Sequence, residues 1–416
     1  MSEQKSIRGP YATYDATAGQ DALNTGGIFR VRDILPDIPF KRPYSSLFYK
    51  FLTAVPHGRS AFQDKVEYGE QEKVLNYLTV NASTGSGDTS VTVTNAYNAV
   101  PGDKLYNPRT KEMIRIDAVD SATVISTAAT TGYGRGFAGS TAATMRIGDR
   151  LQKMGNAMTE FGRTPETIAK MPTSDYNFCS FYIKAIKVGK LQENTKMLGN
   201  FGKMTEQAAN AMFQFHEEIN ADLWWGRRAL MSVPAASAHD SGGGNLYQMN
   251  GFDEQVHTNV WDLSDVSHVT WELWNEILSP IFVNNPGKRI MNCGQNVAAS
   301  LTQCARGNVV PITYPSVIEG VDVTEIAVDG GTVAVVHDYD GLPPGSARVW
   351  DPMYVEYLPR DGYEEQWIRD TKLPTQVNEE VDTLLAGGTL VVRNDECHAK
   401  IDNLSGPFNA RGIKTT

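Results

Sequence analysis

Between residues 204 and 230 the apolar side chains of Ala208, Met212, Phe215, Ile219 and Leu223 follow one another at steps of three and four, the spacing that lines one face of an α-helix. Thr205 and Glu206 suit its start. At about 1.5 Å per residue such a helix would run roughly 40 Å, and a layer must pack along that face to bury it. The stretches around it are of the opposite kind. TSVTVTNAY and MIRIDAV before it, and VDVTEIAV, GTVAVVHDY, ARVWDPMYVEYL and YEEQWIRD after it, are rich in β-branched and aromatic residues that read as strands. Helices and strands are therefore segregated along the chain, which predicts an α+β fold and not a repeating βαβ enzyme.

From Thr79 to about Leu151 the chain turns to Thr, Ser, Val, Ala and Gly, with turn signals between short alternating runs, and predicts a small all-β unit in the form of a compact barrel or twisted sheet. It carries two similar turns, VPGDKL at 100–105 and RIGDRL at 146–151, each placing Gly-Asp between apolar positions. Further on, FYIKAIKVGKL alternates and then breaks at Gly189, a strand followed by a turn. A helix is expected from near Ser267 through VTWELWNEILSPIF, with Trp271, Trp274 and Leu278 on one face, and another over Gln295–Arg306. GTLVVRN and CHAKIDNL read as a final hairpin.

The first 40 residues are rich in Gly, Ser, Thr, Asp and Pro, and the proline pair of DILPDIPF rules out a continuous helix there. That predicts an extended arm. Leu47, Phe48, Phe51, Leu52 and Val55 then recur at helical spacing in a short helix that stops near Pro56 and Gly58.

At 416 residues, with 41% hydrophobic and 21% charged side chains, the chain should fold into two or three packed units, since a single core rarely grows so large. A net charge of −10 leaves no broad basic surface for tight phosphate binding; it is equally compatible with a wall that encloses DNA without gripping it and with any soluble cytosolic enzyme, so charge alone does not choose. No apolar run of about 18 residues occurs, and the polar start lacks a secretory core, so a chain that is soluble and cytoplasmic when made, with no membrane partner, is expected. The four cysteines, Cys179, Cys293, Cys304 and Cys397, form no CxxC pair and are expected as free thiols, most of them buried.

Each chemical signal has a plainer reading. Gly134, Gly136 and Gly139 in GYGRGFAG match G-x-G-x-x-G, but the next residues, STAATMRIGD, look like turn and strand where a dinucleotide site needs a helix. His337, Asp338 and Asp340 could be metal ligands, yet no closing Glu stands after Gly341 at calcium-loop spacing. Glu217, Glu218 and Asp222 sit beside the apolar stripe of the long helix, where charges form a solvated or inter-subunit face, as His216 would. Trp224, Trp225, Trp271, Trp274, Trp350 and Trp367 lack the basic track of a base-stacking platform and are expected in the core or at subunit interfaces. No catalytic, cofactor-binding or metal-binding residue is assigned, and the expectation is a protein that is not an enzyme and needs no cofactor.

The order of elements resembles the Hong Kong 97 type of major capsid protein, especially tailed-phage members with a β domain inserted in the extended loop. DILPDIPF looks like the arm segment and DKVEYGE at 64–70 like the first strand of the extended loop. The two Gly-Asp turns with GRGFAGSTAATM at 134–145 look like the inserted β domain. FYIKAIKVGKL followed by TEQAANAMFQFHEEINADLWWGRRAL resembles the returning loop strand and the spine helix. HDYDGLPPGSARVWDPMYVEYLPR resembles part of the axial domain, and GTLVVRNDECHAKIDNL the strand pair that returns to the peripheral domain. The resemblance implies an arm and short helix over 1–58, an extended loop over 59–78 and 152–200, and an inserted β domain over 79–151. It implies a peripheral domain over 201–260 and 371–416 and an axial domain over 261–370.

Such a subunit would assemble with itself into hexamers and pentamers of an icosahedral head around double-stranded DNA, in the host bacterial cytoplasm, and would reside in the virion. Because the N-terminus carries no long charged helical region, a separate scaffold protein is expected, together with a portal and possible decoration proteins. Lys65 and Lys73 are loop lysines without matching partners for a crosslink, so none is predicted. An encapsulin-like cargo compartment and a soluble β-rich carbohydrate-binding or hydrolytic protein are the alternatives.

Overall fold

The structure, a computed structural model, describes residues 46–54, 59–128, 133–156, 160, 170–194, 204–233, 244–266, 269–307, 312–318, 321–338, 341–371 and 378–406. The arm signal DILPDIPF, the stop at Pro56 and Gly58, Ser267 and Asp340 lie outside these residues. The chain forms two compact units, Glu67–Tyr176 and the remainder.

Helix α1 (Leu47–Ala54) buries Leu47, Phe48, Tyr49, Phe51 and Leu52, the apolar positions that its spacing predicts. Strand β1 (Lys65–Glu70) pairs with β8 (Thr173–Phe178). Between them lie β2 (Tyr77–Thr79), β3 (Ser90–Thr92), β4 (Asp103–Tyr106), β5 (Met113–Val119), β6 (Val124–Thr127) and β7 (Arg150–Asn156), hydrogen-bonded in the order β2-β7-β4-β5-β6-β3. The sheet closes on itself. Val80 bridges Val93, the Asn81 amide donates to the Thr92 carbonyl at 2.9 Å, and the Thr94 amide donates to the Thr79 carbonyl at 2.9 Å. Inside this barrel Val91, Val93, Leu105, Ile114, Ile116, Ile125 and Leu151 are fully buried.

The two Gly-Asp turns fold alike because each combines a left-handed glycine with an aspartate that satisfies the turn. Gly102 and Gly148 have φ of 92° and 88°, where a side chain would be strained. The carboxylate of Asp103 accepts the Val100 amide at 2.9 Å and that of Asp149 accepts the Arg146 amide at 3.0 Å. Each aspartate then meets a cation, Lys153 at 2.7 Å for Asp103 and Arg109 Nε at 2.7 Å for Asp149. Arg109 holds the Asp149 carboxyl well below the usual carboxylate range.

In the other unit β9 (Ser180–Gly189) leads through the short α2 (Lys190–Asn194) to α3 (Met204–Trp225). This is the long helix, but it differs from the expectation at two points. It ends at Trp225, about 33 Å from its start. Gly226 donates its amide to the Asp222 carbonyl at 2.8 Å, and the chain then enters β10 (Ala229–Val233) instead of a further helical turn. The buried face carries Ala208, Phe215, Ile219 and Leu223, whereas Met212 is exposed and its neighbour Ala211 packs against the core. Placing Ala211 in the stripe keeps the steps at three and four.

β10 pairs with β11 (Gly244–Gln248). Then come α4 (Phe252–Gln255), β12 (Val260–Asp262), α5 (Trp271–Leu278), β13 (Gly287–Cys293), α6 (Gln295–Gly307), β14 (Ile312–Ile318), β15 (Val321–Val328), β16 (Gly331–His337), β17 (Ala347–Trp350), β18 (Val355–Pro359), β19 (Gln366–Ile368), β20 (Glu379–Val392) and β21 (Ala399–Asp402). α5 starts at Trp271 because the Thr270 hydroxyl accepts the Leu273 amide at 3.2 Å.

Two sheets result. One has seven strands in the order β12-β21-β17-β13-β16-β15-β14; in the other β20 pairs with β18, β19 and β9. GTLVVRN and CHAKIDNL are therefore not a hairpin, since β20 and β21 belong to different sheets. Asn394, with φ of 55°, and the 3-10 turn Asp395–Cys397 redirect the chain between them. β18 and β19 pair with β20, although they lie on the other side of the expected boundary at residue 370. The core of this unit is equally two-part. α1 and α3 pack with the β9/β20 sheet and with one face of the seven-stranded sheet, through Ile290, Ala334, Val336 and Trp350, around Phe48 and Trp224, while α5 and α6 pack on the alternate residues of the seven-stranded sheet around Trp274 and Met291.

Candidate functional site

The residues weighed for chemistry are dispersed. Gly136, in the left-handed region with φ of 64°, leads only into a three-residue 3-10 turn, so the glycine motif lacks the helix that a phosphate site requires. Gly134 serves packing instead. A side chain at Gly134 would collide with the backbone of Ala128, and the close approach seats Arg135. That guanidinium binds the fully buried Glu112 through Nε at 2.6 Å and a terminal nitrogen at 3.0 Å, and donates to the carbonyls of Gly85 at 2.9 Å and Ala143 at 2.6 Å. Glu112 also accepts the amides of Gly136 at 3.3 Å and Ala143 at 3.1 Å.

On α3 the three acidic residues part company. Glu217 is exposed, Glu218 pairs with Lys184 at 2.6 Å, and the half-buried Asp222 accepts from the Tyr182 hydroxyl and the Gln248 amide, with burial pushing its carboxyl pKa up. His216 meets Glu365 at 2.8 Å, holding that carboxyl below its ordinary value. Asp338, buried at the end of β16, accepts the Gly341 amide at 2.9 Å and the Asn292 amide nitrogen at 3.3 Å, while His337 beside it is exposed. Among the described residues no group of three or more His, Cys, Asp or Glu side chains could hold a metal ion, and no helix is long and apolar enough to cross a membrane. All four cysteines are buried and free.

The tryptophans divide. Trp224, Trp274 and Trp350 are core, whereas Trp225 and Trp367 are 40% and 41% exposed. Exposed apolar side chains also line β9, where Ile183 is 70% exposed, and the ribbon of β10 and β11, where Leu230, Met231 and Leu246 are open. Sequence reasoning missed the buried charges. Arg348 binds Asp253 at 2.7 Å and Asp402 at 2.8 Å, and Arg289 binds Asp351 at 2.9 Å. No periodicity marks such pairs, and only an arginine inside an apolar strand, as in ARVW, hints at one.

The chain thus has two separately cored units, and the polar residues weighed above are spent on internal ties. Residues 18–405 match the model of the SU10 major capsid protein, a span that takes in both compact units and nearly the whole chain. The class is that of viral shell proteins. The chain belongs to the SU10 major capsid protein family and is a phage major capsid protein.

Among solved structures it is similar to the holo-SrpI encapsulin complex of Synechococcus elongatus, at 12% identity and a TM-score of 0.40 over 60% of this chain and 80% of that one. It is similar to chains of Mycobacterium phage Patience, at 12% identity and a TM-score of 0.37 over 61% and 79%, and Mycobacterium phage Adephagia, at 13% and 0.37 over 61% and 81%. No curated protein matches. The α+β class and the capsid reading made from the sequence both stand.

Proposed function

We propose that this chain builds the icosahedral head of a tailed phage as hexamers and pentamers around double-stranded DNA, assembling in the bacterial cytoplasm without catalytic activity or cofactor. The observation that carries this is the family match over residues 18–405. A shell repeats one surface by symmetry, so each copy must present complementary patches to several neighbours, and many weak contacts engaged together hold what one could not. The exposed apolar residues of β9 and of the β10/β11 ribbon are candidates for such patches. The net charge of −10 suits a wall that encloses DNA without binding it tightly. A separate scaffold protein, a portal and decoration proteins are its proposed partners.

The parts are assigned as an arm and short helix over 1–58, an extended loop over 59–78 and 152–200, an inserted β domain over 79–151, and peripheral and axial domains in the remainder. The pairing of β18 and β19 with β20 supports counting residues 355–368 with the peripheral domain. The pairing of β21 with β17 supports counting 399–402 with the axial one.

Electron microscopy of the expressed chain, with and without a co-expressed candidate scaffold, tests the whole reading. Closed shells, tubes or capsomer rings are expected; a persistent compact monomer of 45.7 kDa under both conditions would sink it. Deleting residues 80–148 tests the insertion. If the barrel only strengthens contacts between capsomers, shells should still form but dissociate at lower denaturant. A deletion that yields folded subunits unable to assemble would show that the barrel is part of the obligatory interface.

A further inference from the structure

The seven-stranded sheet and the β20 sheet of the larger unit share one pair of chain segments. β17 pairs antiparallel with β21 in the seven-stranded sheet, and their direct continuations β18 and β20 pair antiparallel in the other. The ladder is interrupted between Asp351 and Tyr354 on one chain and between Arg393 and His398 on the other, and resumes one residue out of step. His398 stands inside this interruption, fully buried. Its Nδ1 lies 3.3 Å from the Asp351 amide and its Nε2 lies 3.0 Å from the Arg393 carbonyl. Since an amide can only donate and a carbonyl only accept, the ring is the neutral tautomer with its proton on Nε2. One side chain thereby ties together both crossings between the sheets.

We propose that this bent ladder is a hinge between the two sheets, that neutral His398 is its pin, and that protonating the ring releases it. A second proton on Nδ1 would point at the Asp351 amide, donor against donor, and the tie at that crossing would break. The carboxylates facing the ring, Asp351 and Asp395, offset this only in part. Asp351 is already engaged by Arg289 at 2.9 Å and Asn285 at 3.2 Å. Asp395 is occupied by the amides of His257 at 3.1 Å and Thr258 at 2.8 Å, and Arg289 itself repels a cation. The remaining face is covered by the Phe252 ring, edge-on at 5.7 Å. Burial accordingly lowers the ring's pKa from 6.5 to about 4.

The sign comes from linkage. The open hinge takes up a proton below pH 6.5 and the closed one resists until about 4, so opening is favoured as pH falls through that window. Hydrogen exchange read by mass spectrometry on the full-length chain, with protection computed against intrinsic rates at each pH, tests this. Between pH 7 and 4, protection of residues 351–356 and 392–398 should fall on the order of 100-fold, while the β13/β16 pair keeps its protection. His398→Gln, whose amide can accept and donate at the same two places without titrating, should lose that pH dependence. Flat wild-type protection over this range would overturn the proposal. So would an equal loss in β13/β16, or a fall as steep in His398→Gln as in the wild type.

Discussion

Phe48→Ala should destabilise the larger unit by about 3–5 kcal/mol, the usual cost of emptying a buried aromatic site. The Phe48 ring is fully buried and stacks on Trp224 with centroids 3.8 Å apart and planes 15° from parallel. It also meets Trp350 edge-on at 5.3 Å and Phe252 at 6.1 Å. It therefore joins α1, α3, α4 and β17 at one point, and it arrives on a helix of eight residues, too short to hold its shape by propensity alone. With the ring gone, α1 loses its anchor and α3 loses the cover over Trp224. Urea unfolding would read this as a lower midpoint with an unchanged slope. A loss below about 1 kcal/mol would mean that the aromatic cluster collapses around the gap and that α1 is held elsewhere.

The second large effect belongs to the barrel. Arg135→Ala should cost about 3–5 kcal/mol, because a buried carboxylate that loses its cation retains the whole penalty of leaving water. Glu112 is fully buried, and without Arg135 it would keep only the amides of Gly136 and Ala143. The carbonyls of Gly85 and Ala143 would lose their donor as well. Replacing both partners with apolar residues, Arg135→Met with Glu112→Leu, should recover much of the loss, since no lone charge remains. Limited proteolysis within Glu67–Tyr176 is the readout. If the single variant resists cleavage as well as the double one does, the pair is not what holds the loop 133–145 against the barrel.

How much of this was legible depends on the range of each interaction. α1, α3, α6 and the β5 segment MIRIDAV announce themselves because periodicity is local, and the two Gly-Asp turns do so because glycine and aspartate impose a turn within four residues. The capsid reading came from the order of such elements. The end of α3 at Trp225 was hidden, since Trp225 and the residues after it continue an acceptable pattern, whereas the fold brings the Met249 carbonyl to where a side chain at Gly226 would lie. The placing of Met212 in place of Ala211 is a one-position error of the kind that a seven-residue stretch between anchors permits. The false hairpin of β20 and β21 has a different cause. Strand partners are chosen by the whole sheet, and β21 finds β17 and β12, far away in sequence. Arg135 with Glu112, and His398 with the Asp351 amide, were hidden for the same reason, being pairings across distance with no period to betray them, and Arg348 with Asp253 was hinted at only by the arginine within ARVW.

The closure of the β2–β7 barrel bears on the cell in which the chain is made. A subunit produced in great number and held at high concentration before assembly risks fibril growth wherever a sheet ends in an unpaired strand, because a bare edge accepts the next molecule without discrimination. The bridge from Val80 to Val93 joins the first and last strands of the ring, so among the described residues the six barrel strands offer newly made copies no such template.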